Sequence, residues 1–315
     1  MSAGQESTRQ TRDAHVQPIA QPDPQTRDQT RRGNWRGVGV SVRGSYHEER
    51  DQPCQDAHYW RILPSGPLVV AVADGAGSAS LGDVGAQLAA GTAVTALAES
   101  GIDQRSNSAL NDDAIGQYLV AAIENARDAV EAEAESREVE PRELATTLIL
   151  MIATGDFIAV AQVGDGAAVV GDNHGDVFGV THPQNGEYLN ETTFLVSPEA
   201  METLQTSVWR GTPVQGAIFS DGIQMLCLKM PEGLPHAPFF RPLFTFVSEI
   251  EVGASCADTG PDNAVGSGLN PAQEELRTFL LSPSVQGNTA DDLTLLLFSF
   301  GEPDHGMGPE PAVRE

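Results

Sequence analysis

The sequence has little lysine, no net positive charge and few cysteines, and each shortage excludes a class of protein. One of the 18 basic residues is a lysine, and 44 acidic residues bring the formal net charge to −26. Nucleic acids and anionic membrane surfaces both need a basic face on their protein partners. We therefore expect neither as a partner. Three scattered cysteines exclude a disulfide framework and a CxxC metal knuckle.

Long hydrophobic runs are also missing. No stretch of 18 uncharged apolar residues occurs, so the sequence predicts no membrane-spanning helix. The chain opens MSAGQESTRQ, which lacks the charged and then apolar pattern of a secretory signal. These absences predict a cytoplasmic protein.

Composition divides the chain into a central folded part and two tails. Residues 1–35 are rich in Gln, Arg, Asp and Pro without apolar periodicity, which predicts a disordered N-terminal tail. Residues 301–315 resemble a second, C-terminal tail. The predicted domain spans residues 36–300, with a loop-rich insertion at about 231–272 that includes the apolar stretch Phe239–Val247.

The pattern inside the domain is mixed. An apolar run at Leu68–Ala73 predicts a buried strand, and periodic segments at Asp83–Glu99 and 112–136 predict two helices. A series of short strands follows, and Leu293–Phe300 is the last strong one. Along the sequence, strands mostly follow strands and the two helices follow each other. This order predicts an α+β fold with antiparallel sheets, rather than a doubly wound parallel sheet.

Four aspartates stand at the ends of apolar runs, namely Asp74, Asp165, Asp221 and Asp291, and a fifth, Asp56, lies ahead of the first buried strand. Three of them precede a glycine, and an Asp-Gly pair taken alone is typical of a turn. Strand ends can nevertheless meet at one edge of a sheet, where gathered carboxylates repel one another unless cations neutralise them. Oxygen ligands of this kind suit Mg²⁺ and Mn²⁺. The positions therefore predict a divalent-metal site.

Five short segments resemble motifs of the metal-dependent Ser/Thr protein phosphatases (the PPM family, protein phosphatase type 2C), in a diverged bacterial-type form. The segments are VADGAGS at 72–78, QVGDGA at 162–167, FSDGI at 219–223, ADDLTL at 290–295 and CQDA at 54–57. They occur in the family's order, and the resemblance covers about residues 36–300.

The resemblance implies a four-layer αββα sandwich, in which two antiparallel β-sheets are flanked by helices, with the site at one end. It also implies two ions per chain, Mn²⁺ or Mg²⁺, and assigns a role to each acid. By this likeness Asp74 bridges both ions, and Gly75 offers its carbonyl to one of them. Asp221 and Asp291 complete the coordination of the other ion. Asp56 acts through metal-bound water, and Asp165 belongs to a possible third metal site. Asp74 and Asp56 are the expected catalytic residues.

Three positions depart from the family's pattern. Gln55 occupies the position of a glutamate in the family, and Ala76 occupies that of a histidine proposed as a general acid. Asp51 occupies the position of the arginine that binds the substrate phosphate. We expect His47 or Arg50, in the same loop as Asp51, to bind the substrate phosphate instead. A phosphate dianion needs a cationic or hydrogen-bonding partner beyond the metals. The alternative is that Arg50 merely pairs with nearby acids at the surface.

The leading hypothesis is a monomeric phosphatase that hydrolyses phosphoserine and phosphothreonine in proteins by a metal-activated water at a binuclear centre. Its expected partners are a phosphorylated protein substrate and a Ser/Thr kinase, and its expected source is bacterial or archaeal. The alternative is a pseudophosphatase that binds phosphoproteins as a regulatory module; Ala76 and Asp51 favour it, and the retained acids oppose it. A third hypothesis is a structural divalent-ion site without catalysis.

Overall fold

Two antiparallel sheets form the centre of the protein, which is described here by a computed structural model covering residues 34–104, 110–184, 192–250 and 269–301. Each large sheet has five strands, and all their pairings are antiparallel. In sheet order, the first contains β1 (Asn34–Val42), β12 (Leu293–Gly301), β9 (Pro213–Phe219), β6 (Ala167–Asp172) and β7 (Val177–Gly179). The second contains β2 (Asp56–Ile62), β3 (Leu68–Asp74), β4 (Leu148–Ala153), β5 (Phe157–Val163) and β8 (Gln205–Arg210). A small separate pair joins β10 (Leu228–Lys229) to β11 (Leu234–Pro235).

Helices cover the outer face of each sheet. The second sheet carries α2 (Gly82–Glu99) and α3 (Asp112–Ser136), and the first carries α6 (Ala237–Glu249) and α7 (Pro271–Leu280). Short helices occur in the connections: α1 (Ser45–Glu48), α4 (Ala200–Thr203), α5 (Gln224–Cys227) and α8 (Pro283–Gln286). The predicted four-layer αββα sandwich is confirmed.

The strand β3 illustrates how the sequence produces these layers. Val70 and Val72 belong to the core between the two sheets, whereas Val69 and Ala71 pack beneath α2 and α3. Because successive side chains of a strand point to opposite faces and both faces are covered, the strand is a continuous apolar run. On α2, small residues allow the helix to lie close to its neighbours. A Cβ at Gly85 would lie 2.1 Å from the Leu144 carbonyl oxygen.

The two helices predicted from periodicity are present with nearly the predicted bounds. The longer one, α3, begins after Asn111, whose side chain accepts a hydrogen bond from the Ala114 amide and caps the helix. The apolar stretch Phe239–Val247 lies in α6, which packs against the first sheet. Within the predicted loop-rich insertion, residues 251–268 lie outside the described residues.

Among the longer elements, β2, β8 and α7 were not predicted from the sequence, and neither were the short elements β10, β11, α1, α4, α5 and α8. Asp56 was expected ahead of the first buried strand, but it is the first residue of β2 and pairs with Asp74 of β3. The strand β1 begins at Asn34, two residues before the predicted start of the domain, because Trp35 packs on Phe298 and Phe300.

The remainder of the two predicted tails, residues 1–33 and 302–315, lies outside the described residues. Among the helices that the structure describes, none is both long enough and apolar enough to cross a membrane.

Candidate active site

The sheet topology brings the five predicted aspartates to one end of the sandwich. On the first sheet, Asp221 lies two residues after β9, while Asp291 and Asp165 each lie two residues before a neighbouring strand, β12 and β6. Phe219 pairs with both Leu295 and Ala167, so the three acids lie at the same edge. On the second sheet, Asp56 and Asp74 are direct cross-strand partners. Acids separated by more than 200 residues therefore become neighbours.

Four of these carboxylates line one cleft with a volume of about 460 Å³. They are Asp74, Asp165, Asp221 and Asp291, and Gly75 lies among them. The other lining residues are Tyr46, Ala76, Gly77, Thr147, Thr192, Phe194, Thr289 and Ala290. Asp291 is exposed at the mouth, whereas Asp56 is buried and does not line the cleft.

The cleft strongly disfavours negative charge when no cation is present. Burial raises the pKa of Asp74, and the nearby charges of Asp56, Asp221 and Asp291 raise it further. Burial is also the largest cause of the raised pKa values of Asp56, Asp165 and Asp221. The carboxyl groups of Asp74 and Asp221 also interact directly, and this contact raises the pKa of Asp74 further.

These acids fit a bound divalent cation by chemistry, although a cation would have to rearrange them. Oδ1 of Asp56 and Oδ1 of Asp221 are buried and have no hydrogen-bond partner. A buried carboxylate oxygen without a partner is costly, and a hard cation both accepts oxygen ligands and favours their charged form. Within the described ranges, no three acid, histidine or cysteine side chains are already grouped as a complete ligand set. A cation would therefore replace the direct contact between Asp74 and Asp221.

Gly75 is required at its position by close packing. A Cβ there would lie 2.6 Å from the carbonyl carbon and oxygen of Gly82 and 2.9 Å from the carbonyl oxygen of Gln55. The Gly75 amide donates to that same Gln55 carbonyl at 3.0 Å. The turn after β3 can therefore pass tightly beside the cleft, with the Gly75 backbone at its wall.

Several polar residues that sequence reasoning missed hold these acids in place. The Thr192 hydroxyl donates to Oδ2 of Asp165 at 2.5 Å, and Gln224 donates to the Asp165 carbonyl at 2.6 Å. The Ser220 hydroxyl donates to Oδ2 of Asp56 at 2.7 Å. Ser220 is the neighbour of a predicted ligand, which was the available signal. Thr192 and Gln224 are separated from Asp165 by 27 and 59 residues and gave none.

Asp292, which follows the predicted ligand Asp291, anchors the loop of residues 43–55, referred to below as the cleft loop. It is buried and accepts the Gly44 amide at 2.7 Å and the Gln55 amide at 2.5 Å. Its Oδ2 lies 2.9 Å from Nδ1 of His47, although the ring does not form a well-directed hydrogen bond. One carboxylate thus fixes both ends of the cleft loop.

The two predicted phosphate-binding side chains lie away from the cleft wall. His47 is 1 % exposed and faces Asp292, so it would have to leave that contact to reach a phosphate. Arg50 lies with its guanidinium 3.6 Å from the centre of the Tyr46 ring and donates to the Tyr46 carbonyl at 2.8 Å. Tyr46 lines the cleft, so the ring of Tyr46 lies between Arg50 and the cleft wall. Phosphate binding by either residue stays a prediction.

The three departures from the family's pattern have clear local roles. Gln55 donates from Nε2 to the Ala79 carbonyl at 3.2 Å, which a glutamate could not do when ionised. Ala76 belongs to a small buried apolar cluster with Ala79 and Ala145. Asp51 has φ = 52° in the left-handed region, which aspartate tolerates better than most residues.

Comparisons with known proteins agree with one another. The family model described as "Protein phosphatase 2C" matches residues 43–260. A curated relative, "Serine/threonine-protein phosphatase 3" of Escherichia coli (strain K12), is 37% identical over 273 residues, covering 85% of this chain and all of the relative.

Solved structures show the same fold at low identity. The serine/threonine phosphatase Stp1 from Staphylococcus aureus superposes with a TM-score of 0.52 at 12% identity, covering 84% of this chain and 94% of Stp1. The catalytic domain of the serine/threonine protein phosphatase PstP, solved with 2 manganese ions, superposes with a TM-score of 0.51 at 15% identity. That match covers 85% of this chain and 99% of the PstP chain.

Proposed function

This chain belongs to the protein phosphatase 2C family, and from that premise we propose that it hydrolyses phosphoserine and phosphothreonine in proteins with two divalent cations in the carboxylate cleft. Family membership makes it a protein serine/threonine phosphatase. The binuclear mechanism, the ions and the roles of single residues are the finer parts of the proposal.

The observation that carries the metal dependence is the charge of the cleft wall. Four carboxylates line it, and no described lining residue is basic. A phosphate monoester is itself an anion, so such a cleft repels it unless cations lie between the two sets of oxygens. Metal-free protein should therefore bind phosphate esters poorly.

The residues present fit the roles of ion ligands. Asp74 and Asp221 already contact each other, and Asp291 stands at the mouth; these three would hold the ions together with the Gly75 carbonyl. When bound, two such cations lower the pKa of a shared water and neutralise the charge that develops on the phosphoryl oxygens. Asp56, buried beside Asp74, would orient water through its unpaired oxygen, and Asp165 would serve a third site.

The nature of the ions and partners follows from the same chemistry. Carboxylate and carbonyl oxygens suit Mn²⁺ and Mg²⁺, and the PstP relative was solved with manganese. The partners that we propose are phosphorylated proteins and the Ser/Thr kinase that modifies them, with the phosphatase acting as a cytoplasmic monomer. Arg50, stacked on Tyr46, is our candidate for a contact with the substrate near the cleft mouth.

The pseudophosphatase hypothesis receives no support from the comparisons. Its arguments were Ala76 and Asp51, which have structural roles in the cluster beside the cleft and in the cleft loop. A phosphoprotein-binding module has no need for four mutually repelling acids, and a purely structural ion site has no need for a cleft open to a substrate.

Hydrolysis of a phosphothreonine peptide with added Mn²⁺, and with excess chelator instead, tests the proposal. We expect activity in Mn²⁺ only, and its loss in Asp221→Asn, which keeps the size of the side chain but removes the charge that a hard cation needs. Asp156→Asn is the matched control, since Asp156 is exposed at the turn between β4 and β5, at their far ends from the cleft. Full activity in chelator, or in Asp221→Asn, would contradict the proposal.

A further inference from the structure

A chain of hydrogen bonds extends from Asp56 into the space between the two sheets. Ser220 donates to Oδ2 of Asp56 at 2.7 Å and accepts the Thr294 amide at 3.0 Å. The hydroxyls of Thr294 and Ser41 lie 2.6 Å apart, and the Ser41 hydroxyl lies 2.9 Å from Nδ1 of His58. Each link is within hydrogen-bonding distance.

The chain connects both sheets at the end where the cleft lies. Ser220 follows β9, and Thr294 and Ser41 are cross-strand partners in β12 and β1 of the same sheet. His58 and Asp56 both belong to β2 in the other sheet. Ser220 and Thr294 are buried, so bulk water cannot replace their hydrogen bonds.

The hydrogen bonds of Asp56 are asymmetric. Oδ2 accepts from Ser220, whereas Oδ1 is buried without a partner. The terminal torsion of an aspartate is broad, so the carboxylate plane is not set by rotamer preference alone. A hydrogen bond to one oxygen sets that plane and thereby the direction of the other oxygen.

When Asp56 is ionised, as beside a bound cation, the direction of the Ser220 hydrogen bond is determined, because a carboxylate only accepts. A serine hydroxyl has one hydrogen to donate, and Ser220 already accepts from the Thr294 amide, which can only donate. Its hydrogen is therefore available for Asp56. The backbone of β12 thus orients the hydroxyl that orients the acid.

We propose that Ser220 is a positioning residue of the phosphatase site, which directs Oδ1 of Asp56 towards a water or cation bound beside its cross-strand partner Asp74. This inference rests on the proposed function, because it gives Asp56 its part in ion binding. Thr294 and Ser41 support Ser220, and His58 ends the chain in the second sheet. The rival explanation is that Ser220 only satisfies a buried oxygen and contributes to stability alone.

Calorimetric titration of Mn²⁺ into the metal-free chain, together with steady-state kinetics on p-nitrophenyl phosphate, separates the two explanations. For Ser220→Ala we expect Mn²⁺ affinity and kcat to fall by roughly 10- to 100-fold, the usual effect of removing a residue that orients a ligand, while KM changes little. Ser220→Thr keeps the hydroxyl and should restore most of both.

Ser299→Ala is the matched control, because Ser299 is also buried and lies on β12 towards its other end. It should bind Mn²⁺ and turn over substrate as the wild type does. If Ser220→Ala keeps wild-type Mn²⁺ affinity and kcat and loses only thermal stability, the rival explanation holds and the proposal is wrong.

Two further outcomes remain decisive. If Ser220→Ala does not fold, Ser220→Cys replaces it as a near-isosteric but weak donor, and wild-type Mn²⁺ affinity in that variant would overturn the proposal. If the wild type binds Mn²⁺ but hydrolyses no phosphate ester, the proposed function fails. The Mn²⁺ affinities of the variants would still support or overturn the positioning role.

Discussion

The carboxylate cleft and the cleft loop beside it satisfy their charges in opposite ways. In the loop, Arg43 donates to the Gln52 carbonyl at 3.0 Å, Arg50 lies on the Tyr46 ring, and His47 faces the buried Asp292. In the cleft, the charged groups that line the wall are all acids, and the buried Oδ1 of Asp221 lacks a hydrogen-bond partner.

The difference separates a segment whose basic groups meet partners within the chain from one whose acids require a bound cation. Buried polar groups in native proteins are nearly always paired, so each exception calls for an explanation. The cleft loop is held by the chain itself, since its ends are joined to Asp292 and the Tyr46 amide donates to the Ala290 carbonyl at 2.8 Å. Its own buried atoms without a partner, on His47, Gln52 and Gln55, belong to an imidazole and two neutral amides rather than to gathered carboxylates. Raised pKa values grouped in a cleft are typical of functional sites. The predictions below test this contrast.

The largest effect should come from the acid at the centre of the cleft. We expect Asp74→Asn to lower Mn²⁺-dependent hydrolysis by roughly a thousandfold or more, because the ions contribute several kcal/mol to the transition state. Asp165→Asn should cost far less, because Asp165 is assigned to a third site. Phosphopeptide kinetics on both variants measure the difference, and equal losses would contradict the assignment.

In the cleft loop, the largest effect should be on stability. Asp292→Ala leaves the amides of Gly44 and Gln55 without their acceptor, and we expect a loss of about 3 kcal/mol in unfolding free energy. Asp292→Asn keeps one acceptor oxygen and should lose less. Urea unfolding in excess chelator measures both variants. Wild-type stability of Asp292→Ala would show that the loop does not depend on this anchor.

The pH dependence of stability should differ with and without metal. Burial, the largest cause, raises the pKa of Asp221 in the folded metal-free chain to about 7, above its unfolded value. The resulting stability is fully present below the unfolded pKa and is lost as the pH rises through about 7, at up to about 1.4 kcal/mol per pH unit.

In chelator, the melting temperature of the wild type relative to Asp221→Asn should therefore fall between pH 5 and pH 7.5, because asparagine does not titrate there. In Mn²⁺ the same difference should rise with pH, because cations bind the charged carboxylates. Parallel melting curves in both conditions would argue against a cation at Asp221.

The smallest effect should come from Arg50. If it contacts the substrate near the cleft mouth, Arg50→Ala raises KM for a phosphopeptide by roughly two- to fivefold, the size of an exposed charge contact, and leaves kcat unchanged. Arg61→Ala, on β2, is the control arginine. Unchanged KM in Arg50→Ala would mean that Arg50 serves only the Tyr46 contact.

The strand-end aspartates were predictable because local sequence determines them. An acid that ends an apolar run such as LVVAVA lies where a strand leaves the core, and the antiparallel register then brings several such ends together. The layer order followed from the same runs and from the periodicity of α2 and α3. The register that makes Asp56 and Asp74 direct partners was not readable, because β2 is partly exposed and lacks a continuous apolar run.

The cleft loop could not be predicted for a physical reason. Its conformation depends on Asp292, which lies 237 residues after Gln55, and no local pattern encodes a contact over that separation. Arg50 and His47 were chosen as phosphate ligands because they are close in sequence to the diverged position Asp51. In the folded chain, their partners are Tyr46 and Asp292.

Anomalous diffraction from crystals grown with Mn²⁺ tests the central claim, that the cleft acids hold two ions, most directly. We expect two manganese peaks about 4 Å apart, between Asp74 and Asp221, with Oδ1 of Asp221 among the ligands and the direct contact between the two acids broken. A Mn²⁺-soaked crystal without a peak in the cleft, with the Asp74–Asp221 contact intact, would contradict it.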